Sequence, residues 1–173
     1  MIRRTAPSSA PISAPRTRTV LTGLMLAFCC LCNVGCINVK APALAVESVR
    51  LTEQTDEAFV IVFDMELENL NQEPQELDEF TYTVAVNGTQ VYSGRRSAEM
   101  TLASRRSKII GLPAVVHYDA LGLQPGNVPA EVRYSINGEL VYLTPGAWEE
   151  MLFDAGVRTP SIGFSDKGEA SLR

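Results

Sequence analysis

Ten residues, FVIVFDMELE at positions 59–68, limit this chain more than any other stretch. Phe59, Ile61, Phe63, Met65 and Leu67 fall on one side of a two-residue period, and Asp64, Glu66 and Glu68 fall on the other. A helix with one dry face needs apolar residues three and four apart. A strand needs them at every second position. The stretch therefore predicts an antiparallel strand with one face on a core and one in water. Its acids read as a solvated face. Carboxylates two apart on a flat strand do not converge on a metal without ligands from elsewhere.

A second pattern appears twice. Residues 84–94 read VAVNGTQVYSG and residues 134–146 read YSINGELVYLTPG, with Asn87 and Asn137 fifty positions apart. Asn-Gly between alternating runs is the strongest short hairpin signal, because both residues tolerate the positive φ of a type I′ turn. The reading is two hairpins of one sandwich. Val86 should face Thr89 and Val84 should face Val91; Ile136 should face Glu139 and Tyr134 should face Val141. The flanking segments do not match, which argues against a repeat array.

The other elements follow from the same periodicities. Val49 and Leu51 alternate with Arg50 in a first strand from Ser48, and residues 69–76, with Pro74, read as a turn. Residues 80–86 are strand, with Tyr82, Val84 and Val86 on one face. Residues 100–116 predict one or two strands with Pro113 at an edge or bulge. Residues 119–123 suit a single helical turn and 124–129 a loop. Thr144 and Pro145 are placed to cap and start a helix, and Gly156 to end it. Trp148, Met151, Leu152 and Ala155 follow at helical spacing. Trp148, the only Trp, is expected to plug one end of the core rather than stack on a ligand. A last strand is expected near residues 161–165, then a frayed tail.

The N-terminal end reads as a processing signal. Residues 1–35 hold Arg3, Arg4, Arg16, Arg18 and no acid, and residues 20–32 are apolar. That run is shorter than the roughly 20 residues that span a bilayer, so a secretory signal is expected ahead of an uncut anchor. The long basic stretch leaves room for a start codon downstream of Met1. Leu31-Cys32-Asn33-Val34-Gly35-Cys36 resembles the lipobox of bacterial lipoproteins, which implies acylation of Cys36 as the new N-terminus. Asn33 departs from the Leu usual at its place. Past Cys36 the sequence contains no cysteine, so a chain cut there has no internal disulfide and no thiolate metal site. Removing residues 1–35 moves the formal net charge from −5 to −9. Such a surface disfavours nucleic acid and anionic lipid headgroups.

Catalytic chemistry finds no foothold. His117 is the only histidine, no serine elbow lies near it, and no Gly-rich stretch ends in Lys-Ser/Thr. No cofactor or metal is expected, and adjacent acids such as Asp78-Glu79 and Glu149-Glu150 read as turn and helix-surface charges. The concentrated positive charge lies in Arg95-Arg96 and in Arg105-Arg106 with Lys108. Two readings stand: the arginines share an edge that docks an envelope protein or a glycan, or they guard an edge strand against unwanted pairing.

Val49-Arg50-Leu51, the alternating run 59–67, Asn69-Leu70-Asn71 with Pro74, Tyr82-Thr83-Val84-Ala85-Val86-Asn87-Gly88 with Gly94, and the run 132–138 together resemble the late embryogenesis abundant group 2 domain. This is also called the water stress and hypersensitive response domain. Leu70 stands where that family has Pro. The resemblance covers residues 46–142 and implies an all-β fold: a small antiparallel β-sandwich of about seven strands, similar to fibronectin type III. To this the reading above adds a short C-terminal helix. The resemblance also implies a stress-protective role without catalytic residues. The expected layout is a lipoprotein signal peptide at 1–35, a tether at 36–47, the sandwich at 48–165 and a tail at 166–173. The expected function is a non-catalytic, lipid-anchored envelope protein. Ile37 in place of Asp directs it to the outer membrane, facing the periplasm, if the cell is Gram-negative.

Overall fold

The computed structural model describes residues 39–172. Seven strands form: β1 (Ala43–Gln54), β2 (Ala58–Glu68), β3 (Gln75–Val86), β4 (Thr89–Leu102), β5 (Ser107–His117), β6 (Glu131–Leu143) and β7 (Ser161–Ser171). A 3₁₀ turn spans Asp119–Leu121, and one helix, α1, spans Ala147–Asp154. One sheet has the order β1-β2-β5 and the other β4-β3-β6-β7, with every pairing antiparallel. The predicted all-β sandwich with a short helix is the fold.

The alternating run does what its period requires. Phe59, Ile61, Phe63, Met65 and Leu67 are buried on β2, facing Phe80, Tyr82, Val84, Ile136 and Leu140 of the other sheet. Each such side chain contributes about 1.5–3 kcal/mol by leaving water. Rings lock the two layers: Phe63 meets Tyr134 edge-on at 5.4 Å between centroids. The Tyr82 hydroxyl donates to the Pro113 carbonyl across the sandwich. Pro113 is tolerated because β5 is an edge strand, as its sequence predicts.

The first Asn-Gly is a hairpin turn, with φ of 49° at Asn87 and 85° at Gly88. Val86 pairs with Thr89 as expected. A register shift then pairs Val84 with Tyr92 rather than Val91.

The second Asn-Gly is not a turn. Asn137 and Gly138 lie inside β6, paired to Thr83 and Tyr82 on one side and to Ser165 and Phe164 on the other. A hairpin there would fold β6 away from two neighbours that its extended form satisfies together. Gly138 is needed for space instead. A Cβ at that position would lie 2.8 Å from both the Phe164 ring and Tyr82 Cβ. The two Asn-Gly pairs thus share chemistry but not a role.

Four further expectations are corrected. β1 begins at Ala43, inside the expected tether, because Leu44 and Val46 pack against the core. β7 runs on to Ser171 through the expected tail, and Leu172 is buried with its N–H on the Ala130 carbonyl at 2.9 Å. The helix starts at Ala147 with Gly146 as N-cap and no side-chain cap, so Thr144 and Pro145 serve the exit from β6. Gly156 does end the helix, at φ 66°. Its N–H bonds the Phe153 carbonyl at 2.8 Å while Val157 N–H reaches Leu152 at 2.9 Å, a Schellman closure. Trp148 does not plug the core: it is 64% exposed, beside Met151 at 59%. The core is closed by the two sheets and by Tyr118, Leu121 and Leu123 of the β5–β6 connection, and α1 buries no residue.

Candidate functional site

The turn Asn69-Leu70-Asn71 ties one end of the sandwich together. Asn69 is fully buried. Its Nδ2 donates to the carbonyls of Glu73 (2.8 Å), Leu102 (3.1 Å) and Ala103 (3.3 Å). Its Oδ1 accepts from the Asn71 N–H at 2.9 Å and the Asn71 amide at 3.1 Å. Asn71 in turn holds Lys40 from both sides: Lys40 N–H donates to Asn71 Oδ1, and Asn71 Nδ2 donates to the Lys40 carbonyl, each at 2.8 Å. Two asparagines therefore join the incoming chain, the β2–β3 turn and the β4–β5 turn. A buried amide is stable only when its bonds are made, and here they are.

The candidate arginines divide between two places. Arg95 and Arg96 sit midway along β4, paired to Thr81 and Phe80. Arg95 pairs with Glu79 at 3.6 Å, and Arg96 donates to the Gly111 carbonyl on β5. Arg105 and Arg106 occupy the β4–β5 turn, where Arg105 N–H bonds the Asn71 carbonyl and the Arg106 carbonyl accepts Asn69 N–H. At roughly 3.3 Å per strand residue, about 20 Å of β4 separates the two pairs. Arg105, Arg106 and Lys108 are exposed and make no ion pair among the described residues. Cys36 lies outside the described residues.

A groove that the sequence did not single out lies where α1 passes β3 and β4. In the ladder between Leu77 and Glu79, one residue of β3, Asp78, faces two of β4, Ala98 and Glu99. On its other side Asp78-Glu79 faces Val141 alone. Bulges of this kind bend a strand and re-aim side chains. Glu99 takes φ 34°, left-handed for a residue with a Cβ. The resulting groove holds about 380 Å³. Its floor includes Leu77, Met100, Leu143 and Phe153, and its rim carries Glu76, Asp78, Glu99, Glu150 and Asp154. Among the described residues no Lys, Arg or His lines it.

Other polar groups are structural in their contacts. Tyr134 donates to Asp166 Oδ2 at 2.9 Å, and burial, with that bond, pushes its hydroxyl up to about 12. Burial, then the neighbouring Tyr92, raises the Tyr82 hydroxyl above the usual phenol range. His117 ends β5, exposed, beside Asp56, Glu57 and Asp119 in a shallow depression. Among the described residues no three His, Cys, Asp or Glu side chains are grouped to hold a metal, and no helix is long and apolar enough to cross a membrane.

With strands, turn and groove placed, residues 64–149 match the family described as late embryogenesis abundant protein. The match runs from Asp64 on β2 through the Asn69 turn and the Asn87 hairpin to the first turn of α1. A solution structure from Arabidopsis thaliana is similar at 19% identity and TM-score 0.57, over 78% of this chain and 83% of that one. A solution structure described as a late embryogenesis abundant protein is similar at 17% identity and TM-score 0.57, over 89% and 84%. At these identities the likeness is one of fold. No curated protein matches the chain significantly.

Proposed function

We propose that this chain is a non-catalytic envelope lipoprotein whose late embryogenesis abundant domain shields neighbouring molecules during water stress. The family match over residues 64–149 carries the protective part. The basic, apolar and small-residue order that leads to Cys36 supports the anchor. With a lipid there, the protein sits on a membrane, the outer one facing the periplasm in a Gram-negative cell. Intact mass and membrane fractionation of the native protein beside Cys36→Ser test the anchor. A diacylated or triacylated N-terminal Cys36 that pellets with membranes is expected. A soluble, unmodified chain would refute it. Protection is tested separately, by the activity an enzyme keeps after drying beside the protein.

The free exposure of Arg105 and Arg106 favours a second reading, docking of an envelope protein or glycan at the β4–β5 turn. Arg95 and Arg96 are already engaged within the fold. A docking module should lose its partner when all four arginines become Gln, whereas a protective module should keep its effect on drying.

A further inference from the structure

We propose that the groove between α1 and the β3–β4 bulge binds a cationic amphipathic segment of another polypeptide. This deepens the protective reading by naming the class of client, and it rests on that reading for its physiological use. Five carboxylates ring the groove, and no Lys, Arg or His is among the described residues that line it. An uncompensated ring of one sign draws the opposite sign and repels its own. Below that rim the floor is apolar, so a bare polyamine or metal would satisfy only half of the surface. At about 380 Å³ the space takes a few side chains rather than a folded domain. Phe153 and Met100 bring an aromatic ring and a flexible thioether to that floor. Aromatic anchors and adaptable Met side chains suit a surface that accepts varied sequences.

The alternatives fit less well. Anionic headgroups and nucleic acid meet the same carboxylates with like charge. A second copy docking isologously would set one acidic rim against another. A stretch bearing Lys or Arg among apolar residues, exposed when a protein loses water, satisfies both rim and floor.

Full-chain protein is titrated with two designed peptides of equal apolar content, one alternating Leu with Lys and one Leu with Glu. By titration calorimetry the Leu-Lys peptide is expected to bind, and to weaken roughly tenfold, about 1.4 kcal/mol, in the Glu99→Gln, Glu150→Gln variant. In Glu99→Lys, Glu150→Lys the preference should reverse toward Leu-Glu, a gain that a misfolded protein cannot imitate. Equal response to both peptides, or to neither, overturns the proposal, as does an unreversed preference. Selective binding without protection in the drying assay would uphold the groove and refute the protective reading.

Discussion

Arg50 and Asp64 meet side-on across β1 and β2, Nε to Oδ2 at 2.7 Å and Nη2 to Oδ1 at 3.0 Å. Gly111, which pairs with Asp64 from the other side, leaves this fork room: a Cβ there would lie 2.8 Å from Val62 Cγ1 and 3.5 Å from Asp64 Oδ1. The Arg50 hydrogen bond holds the Asp64 carboxyl below the usual carboxylate range against partial desolvation, with Ser48 assisting. A depressed folded pKa contributes stability that is present above the unfolded value and lost as pH falls through the folded one. Asp64→Asn should therefore lower the melting temperature at neutral pH. The gap to wild type should close in acid, below the folded pKa of Asp64. Thermal unfolding monitored across pH checks this; a gap that widens in acid would contradict it.

Tyr134 acts at the opposite end of the scale. Its hydroxyl, pushed up to about 12, favours the protonated form in the fold. That contribution is complete below the unfolded phenol value, about 10, and fades as pH rises toward 12. Tyr134→Phe should show a shallower loss of stability over that alkaline window, read by denaturant unfolding at stepped pH.

Asn69→Ala should cost about 2–3 kcal/mol, because it takes a donor from the buried carbonyl of Leu102 and frees Asn71 from its acceptor. Urea unfolding measures the loss. Amide exchange should show the β2–β3 and β4–β5 turns opening together, since one side chain joins them.

Gly138→Ala should destabilise by about 1–3 kcal/mol through overpacking against Tyr82 and Phe164. At Gly88, where φ is 85° and no atom lies within 4 Å of a Cβ, the same substitution suffers from backbone strain alone. Nuclear magnetic resonance shifts should therefore spread through β3, β6 and β7 for Gly138→Ala. For Gly88→Ala they should stay at the turn.

β2 was legible because its two faces differ and each side chain reports its own environment. The Asn87 hairpin was legible because a tight turn is decided by the two residues that make it. Asn137-Gly138 offers the same local chemistry, but β3 and β7 claim both of its edges, and that competition lies outside a ten-residue window. Trp148 misled for a related reason. Helical spacing identifies an apolar stripe without saying that a sheet is free to receive it, and here the sandwich closes without the helix. The groove had no sequence signal because Asp78 and Glu99 become neighbours only through two ladder irregularities. In the chain they read as ordinary surface acids.

The double bond between Lys40 and Asn71 also has a mechanical meaning. A pull on the chain at Lys40 would ordinarily peel β1 from its edge, one ladder bond at a time. Here the load meets two bonds side by side, both 2.8 Å long, before it reaches the strand. From Asn71 it passes to Asn69, and through that amide to the carbonyls of Leu102 and Ala103 at the end of the opposite sheet. Tension applied at Lys40 is thus shared between both layers, and the domain resists as a block where a bare edge strand would unzip.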